Sequence, residues 1–205
     1  MANSRIRLHY LDVRAKAEIS RLILAYAGKE YEDIRFSQEE WPNYKFKTPL
    51  QQCPMLEVDG RWFPQAAAHF TFLAREFGLY GQTNMDHLII DVVISTLEDV
   101  YKVSVKSWYM EHGQERDEKI QTARREETPK YLAYLEQLLS ENGTGYFVGN
   151  SLTLADIAAF DARTGFLKNY LVFDDRYPLL EKNSQLVLGN EKIREYVNKR
   201  NPSDV

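Results

Sequence analysis

Strand-forming patterns fall in the first part of this 205-residue sequence, and helical patterns fill the rest. The segments "RIRLHY", "YEDIRF" and "MLEVDGRWF" have the apolar spacing of strands, and the last contains Asp59-Gly60, a strong hairpin signal. Helical spacing runs through Ile19, Leu22 and Tyr26 after the first strand and returns in "QAAAHFTFLAREFGL" after the hairpin. These patterns predict the order β-α-β followed by β-β-α.

The remaining sequence predicts helices alone. Residues 85–113 have the pattern of one long helix, and residues 117–143 that of a second, in which Pro129 should kink the helix or begin its packed part. The stretch "GLYGQTNMD" is short, polar and glycine-bearing, as domain boundaries often are. We therefore expect an α/β domain at 1–80 and an all-helical domain at 81–205.

One acidic residue of the helical part is expected to serve folding. Thr153 and Asp156 in "SLTLADIAAFD" have the spacing of the N-cap and N3 residues of a capping box. Asp156 is therefore interpreted as a folding device rather than a catalyst.

Composition argues against several functional classes. The formal charge is −4, and no stripe of basic residues indicates a binding surface for nucleic acid or an anionic membrane. No apolar run approaches the ~18 residues that a membrane span needs. The single cysteine, Cys53, allows no internal disulfide, and "MANSRIRLHY" carries no signal-peptide pattern. We expect a cytoplasmic protein with no nucleic-acid or membrane partner.

Pro54 directly precedes the third predicted strand, a position that a proline occupies where a strand begins. An X-Pro bond that must present the preceding backbone to a ligand is a good candidate for the cis isomer. A peptide-like ligand can then pair with the backbone of Cys53 as an added strand.

Four segments carry a resemblance to a known family: "LHYLDVRAKAEISRLILAYAGKEYEDIRF", "EEWPNYKFKTPLQQCPMLEVDG", "PQAAAHFTFLAREFGL" and "GYFVGNSLTLADI". In this order and spacing they resemble the cytosolic glutathione transferases of the sigma class, found in invertebrates and including haematopoietic prostaglandin D synthase. The resemblance implies a thioredoxin-like domain, a helical bundle domain and a homodimer. It also implies glutathione as co-substrate, no metal, and a small-molecule electrophile bound over the second domain.

The family's catalytic tyrosine falls on Tyr10, at the end of the first predicted strand. A free thiol has a pKa of about 8.5, so a phenol that donates a hydrogen bond to the thiolate increases its population near neutral pH. Each unit of pKa depression needs about 1.4 kcal/mol, which one charge-assisted hydrogen bond can supply. The resemblance therefore assigns the catalytic role to Tyr10.

The resemblance assigns further residues to the glutathione site. Trp41 and Lys45 match residues at the glycyl end of glutathione, where an ammonium pairs with a carboxylate and an indole N–H donates. Asp99 matches an acid that reaches across the dimer interface to the γ-glutamyl ammonium, and a register shift of one residue would assign that role to Glu98. The rest of the expected glutathione-binding set is Lys16, Gln52, Cys53 through its backbone, Pro54, Gln65 and Ala66.

The electrophile pocket implied by the resemblance contains Arg14, Trp108 and Tyr109. Arg14 and Lys16 match a basic pair after the catalytic tyrosine, of which the second is commonly arginine in the family. Lysine keeps the charge but lacks the planar guanidinium fork. The aromatic residues predict only that the electrophile is apolar or aromatic.

The family pattern breaks where the helix after the hairpin begins. Relatives have Gln-Ser there, and the serine hydroxyl and N–H hold the γ-glutamyl carboxylate at the helix N-terminus. This chain has Gln65-Ala66, so Ala66 offers only its N–H and, as a poor N-cap, is expected to lower helix stability by about 0.5 to 2 kcal/mol. Losing a hydrogen bond to a carboxylate costs about 1.5 to 3 kcal/mol, which predicts glutathione affinity weakened about tenfold or more.

Two further positions differ from the family pattern. His69 and Thr71 stand where relatives often have Ile and Arg. His69 is expected to be a packed or rim residue rather than a base.

Three functions stay open from the sequence. Retention of Tyr10, Trp41, Lys45 and Gln65 favours a glutathione transferase that conjugates small hydrophobic electrophiles. The change at Ala66 favours a non-enzymatic structural or ligand-carrier protein, like the lens crystallins of cephalopods. A glutathione-dependent isomerase of prostaglandin type would differ only in its electrophile pocket.

Overall fold

The computed structural model describes residues 4–201, which form two compact units. The first unit combines residues 4–79 with 190–201, and the second comprises 80–189. The first contains β1 (Ile6–Leu11), α1 (Glu18–Ala27), β2 (Glu32–Phe36), α2 (Trp41–Lys45), β3 (Met55–Val58), β4 (Arg61–Phe63), α3 (Ala66–Glu76) and α9 (Glu191–Lys199). The second contains α4 (Asn84–Trp108), α5 (Gln114–Thr122), α6 (Pro129–Asn142), α7 (Leu154–Thr164) and α8 (Pro178–Gly189).

A four-stranded mixed sheet in the order β2-β1-β3-β4 is the framework of the first unit. β1 and β2 run parallel, so α1 crosses between them, whereas β3 is antiparallel to both β1 and β4. The β3–β4 hairpin turns at Asp59 and Gly60, whose φ angles of 50° and 84° are those that a tight two-residue hairpin needs. Both predicted element orders are confirmed.

Tyr10 is the last residue in a row of three buried side chains on one face of β1. Ile6, Leu8 and Tyr10 share one face of β1 because side chains alternate along a strand, and all three are buried. Leu22 of α1 and Leu73 of α3 are also fully buried, and the two helices pack against each other. The strand that forms the centre of this core therefore carries the expected catalytic tyrosine.

The last helix, α9, packs against α1 within the first unit. Ile193 is fully buried, and the Tyr196 hydroxyl and the Arg200 guanidinium both donate to the buried carboxylate of Glu18, at 3.1 and 2.8 Å. The sequence-based division assigned this segment to the helical domain at 81–205. The contacts of α9 place it with the first unit instead.

Pro129 begins the packed part of the second predicted helix. α5 ends at Thr122, Ala123–Glu127 form a π-helical turn, and α6 starts with Pro129 at its first position. Proline is well tolerated there because the first helical N–H has no intrahelical partner. The single predicted helix at 117–143 is therefore divided, and the long helix before it, α4, ends at Trp108 rather than at 113.

Asp156 has the structural role that its capping-box pattern predicted. Its carboxylate accepts hydrogen bonds from the Thr153 backbone at 2.7 Å, the Phe147 backbone at 3.0 Å and the Asn183 amide at 2.7 Å. Burial raises the pKa of Asp156, and these hydrogen bonds oppose the rise. The carboxylate joins the start of α7 to a loop and to α8 inside the second unit.

Candidate functional site

The loop after Tyr10 is held by the buried side chain of Arg21. Nη1 of Arg21 donates to the carbonyl oxygens of Val13, at 2.8 Å, and of Arg14, at 3.5 Å. Arg14 is 8% exposed, and Lys16 lies half-buried in the following 3₁₀ turn. Both expected basic residues therefore follow Tyr10 on a short segment with a fixed backbone.

An aromatic stack fixes α2 beyond the end of β2. The Phe36 ring stacks on Trp41, with centroids 5.6 Å apart, and on Tyr44, at 4.5 Å. Trp41 opens α2 and Lys45 ends it, and both side chains are half-exposed. The indole and ammonium expected at the glycyl end of glutathione thus lie on one short helix, with access to solvent.

The Cys53-Pro54 peptide bond is cis, as the position of the proline before β3 predicted. Pro54 is buried, Cys53 is half-buried and Gln52 is exposed. Burial raises the pKa of the Cys53 thiol to about 11, and a hydrogen bond from the Leu11 backbone opposes that rise. Cys53 is therefore a protonated thiol near neutral pH rather than a nucleophile. The Leu11 contact also joins the end of β1 to the Cys53-Pro54 segment.

The start of α3 differs from the sequence-based expectation. Gln65 is the N-cap, with φ 79° and ψ 100° and no capping hydrogen bond from its side chain, and Ala66 is the first helical residue. The prediction that Ala66 is a poor N-cap was wrong, because the helix begins one residue earlier than that interpretation required, with Gln65 as the N-cap. The Gln65 carbonyl accepts from Ala68 and His69, which leaves the amides of Ala66 and Ala67 outside the helical ladder.

Uncapped amides at a helix N-terminus favour an anion. The N–H groups of Ala66 and Ala67 add to the partial positive charge of the α3 dipole. Ala66 is buried and Ala67 is exposed. The local backbone can therefore hold a carboxylate without a side-chain hydroxyl, although with one donor fewer.

His69 is a packed residue, as expected. Its ring is 1% exposed, and Nε2 donates to the Phe63 carbonyl oxygen at 2.7 Å. Burial lowers the pKa of His69 to about 4, against the opposing effect of hydrogen bonds to the Phe63 and Pro64 carbonyls. The imidazole is therefore neutral near pH 7.

The second unit carries the other expected site residues on and after α4. Asp99 is exposed and pairs with Lys102 at 2.9 Å, and Tyr109 is 83% exposed. Trp108 packs edge-on against Phe166, with ring centroids 5.2 Å apart.

The sequence did not predict one contact of Trp108. The guanidinium of Arg116, a residue that is 8% exposed, lies 5.4 Å from the centre of the Trp108 ring. Arg116 also donates to the ring of His112 at 2.8 Å. The spacing of Arg116 in a polar, charged helix gave no signal that its side chain is buried.

The described residues offer neither a candidate metal site nor a candidate membrane span. Among residues 4–201, no three His, Cys, Asp or Glu side chains are grouped so that they could hold a metal ion. Within the same residues, no helix has both the length and the apolar character of a membrane span.

Comparison with known proteins identifies the family. Residues 6–75 match the model of the glutathione S-transferase N-terminal domain, and residues 98–200 match that of the glutathione S-transferase C-terminal domain. Glutathione S-transferase S1 of Drosophila melanogaster is 37% identical over 202 residues, which cover 97% of this chain and 80% of the relative. The chain belongs to the glutathione S-transferase family. This membership confirms the expected fold, a thioredoxin-like domain followed by a helical domain.

Two further matches include a transferase of known structure and an S-crystallin. The solved structure of a sigma class transferase from Fasciola hepatica superposes with a TM-score of 0.89 at 27% identity, covering 98% of this chain and 99% of the other. S-crystallin SL11 of Nototodarus sloanii is 32% identical over 197 residues, covering 95% of this chain and 96% of the relative.

Proposed function

We propose that this glutathione S-transferase conjugates the thiolate of glutathione to small hydrophobic electrophiles, and that it belongs to the sigma class. The observation that carries the proposal is the position of Tyr10. It ends the buried row of β1, and the next residue, Leu11, contacts Cys53 of the cis Cys53-Pro54 segment. A peptide ligand that pairs with the Cys53 backbone would therefore bind beside the end of the strand that carries the phenol.

In the proposed reaction the Tyr10 hydroxyl donates a hydrogen bond to the sulfur of glutathione. The thiol proton leaves to solvent, and the hydrogen bond stabilises the remaining thiolate. With an aryl halide, the sulfur lone pair forms the new C–S bond and halide departs with the electrons of the C–halogen bond. Tyr10 keeps its proton throughout, so its role is electrostatic.

The first unit supplies the proposed contacts along glutathione. Lys45 pairs with the glycyl carboxylate beside the Trp41 indole, and the Cys53 backbone pairs with the cysteinyl residue. The γ-glutamyl carboxylate binds at the Ala66 and Ala67 amides. Further contacts come from Lys16, Gln52, Pro54 and Gln65.

We propose that the protein is a homodimer in which Asp99 of one copy reaches the γ-glutamyl ammonium bound by the other. Asp99 is exposed, and its pairing with exposed Lys102 is of a kind worth about 0 to 1 kcal/mol, so the carboxylate can exchange partners. Met85 and Leu88 are 62% and 55% exposed on the first turns of the same helix, α4. They offer an apolar contact for a second copy.

Arg14, Trp108 and Tyr109 are the proposed contacts of the electrophile, and the cytoplasm is the proposed location. The aromatic side chains suit a flat apolar substrate. The absence of a hydroxyl at Ala66 supports glutathione binding weakened about tenfold or more, because the carboxylate loses one donor.

A second function is favoured by the same substitution. The chain is similar to S-crystallin SL11, and Ala66 removes a donor from the glutathione site itself. In this second function, the protein would be a structural or ligand-carrier member of the family without conjugating activity.

Calorimetric titration with glutathione, followed by an assay with 1-chloro-2,4-dinitrobenzene, distinguishes the two. Binding accompanied by conjugation, measured as the appearance of the thioether product, supports the enzyme. A folded protein with neither binding nor product would support the structural alternative.

A further inference from the structure

His69 ties the start of α3 to the sheet. The hydrogen bond from its Nε2 to the Phe63 carbonyl runs from the first turn of α3 back to the last residue of β4. Only Pro64 and Gln65 lie between these two elements. The ring therefore closes a two-residue connection from the inside, where water does not compete for the hydrogen bond.

Within this connection, Gln65 has an unusual backbone conformation that no capping hydrogen bond from its own side chain stabilises. Gln65 has φ 79° although it is not glycine, and its side chain makes no capping hydrogen bond. Non-glycine residues keep such angles only where the surrounding structure fixes them. The contact between His69 and Phe63 spans Gln65 and supplies that constraint.

The other end of the link is anchored in the sheet that carries the Cys53-Pro54 segment. Phe63 is paired with Leu56 of β3, two residues after Pro54. His69 thus connects the N-terminus of α3 to the same hairpin that presents the Cys53 backbone.

We propose that His69 is a positioning residue for the γ-glutamyl carboxylate of glutathione, holding the Ala66 and Ala67 amides where that carboxylate binds. The inference rests on the proposed function, because it takes glutathione as the ligand. The ring is neutral near pH 7, so it acts through geometry rather than charge. Because Ala66 has no hydroxyl to bind the carboxylate, glutathione affinity depends more strongly on the position of the Ala66 and Ala67 amides.

Two substitutions separate the hydrogen bond from the volume of the ring. His69→Leu fills similar space without a donor, whereas His69→Gln brings an amide N–H near the position of Nε2. Each protein is titrated by calorimetry with glutathione and with an analogue in which 4-aminobutyrate replaces the γ-glutamyl group. The analogue lacks only the carboxylate that α3 is proposed to hold.

The expected result is selective. His69→Leu weakens glutathione binding about tenfold or more, His69→Gln stays within about threefold of wild type, and neither changes the affinity for the analogue by more than about threefold. An equal loss for both ligands, or no loss for glutathione, would overturn the proposal. If the leucine variant does not fold, His69→Asn replaces it, because its shorter amide does not reach the Phe63 carbonyl and should show the loss.

Failure of the proposed function has a different signature. Wild-type protein that does not bind glutathione contradicts that function and, with it, the role of His69. Wild-type binding that His69→Leu leaves unchanged contradicts the role of His69 alone.

Discussion

The Nη1 atom of Arg200 donates to Oε1 of Glu18 at 2.8 Å, joining the last described turn of the chain to the start of α1. The side chains are 9% and 0% exposed. Arg21 also pairs with Glu18, at 3.3 Å, so one buried carboxylate holds two guanidinium groups. Removing one partner of a buried pair leaves the other uncompensated, and this costs more than the pair itself contributes.

Glu18→Gln is therefore expected to lower the free energy of unfolding by about 3 to 5 kcal/mol. The control is Glu195→Gln, because Glu195 pairs with Lys199 at 3.6 Å on the surface and its loss should cost less than about 1 kcal/mol. Urea denaturation followed by circular dichroism measures both. Equal stability of the two variants would mean that the Glu18 cluster does not hold α9 in place.

Acidification should destabilise the protein through His69. Its folded pKa of about 4 lies below the unfolded value of about 6.5, so the unfolded chain binds the additional proton first. The associated stability is complete above pH 6.5 and is lost as the pH falls towards 4, by about 3 kcal/mol in total. Unfolding curves across this range should show that loss in wild type and its absence in His69→Leu. Parallel pH dependence in the two proteins would contradict the assignment.

Ala66→Ser should tighten glutathione binding by about 1 to 3 kcal/mol in calorimetric titration, because it restores a donor beside the carboxylate site. It should leave the melting temperature nearly unchanged, because residue 66 is the first helical residue rather than the N-cap. Ala68→Ser is the matched control, since the Ala68 amide already donates to Gln65. A gain in stability without a gain in affinity would show that the hydroxyl caps the helix and does not reach the ligand.

Cys53 should react slowly with iodoacetamide in the native protein. Burial raises the pKa of this thiol from 9.0 to about 11, which lowers the thiolate fraction at neutral pH roughly 100-fold. Mass spectrometry of the native and the urea-unfolded chain measures the ratio of the two rates. Native reactivity equal to that of the unfolded chain would contradict a thiol whose burial raises its pKa.

Local patterns predicted the parts of the fold that depend on neighbouring residues. The Asp59-Gly60 turn and the capping box at Asp156 follow from a few consecutive residues, and both are present. The sequence made the bond before Pro54 a candidate for the cis isomer, and the structure shows that isomer. The placement of Tyr10 at the end of a buried strand followed from period-two alternation.

The sequence did not predict contacts between distant residues or the exact residue at which α3 begins. Tyr196 contacts Glu18 across 178 residues, and no spacing rule relates the two, so the sequence did not predict that α9 packs against α1. The N-terminus of α3 was shifted by one residue because Gln65 adopts a positive φ that only its surroundings impose. His69 was predicted to be packed, but its hydrogen bond to Phe63 depends on the path of the turn between them.

Tyr10 is proposed to stabilise the thiolate of bound glutathione. Ultraviolet absorbance of the thiolate, recorded against pH for wild type and Tyr10→Phe saturated with glutathione, measures the pKa of the bound thiol directly. Wild type should hold that pKa at least about one unit below 8.5, and Tyr10→Phe should return it towards 8.5 while glutathione still binds. The same thiol pKa in both proteins would contradict the account.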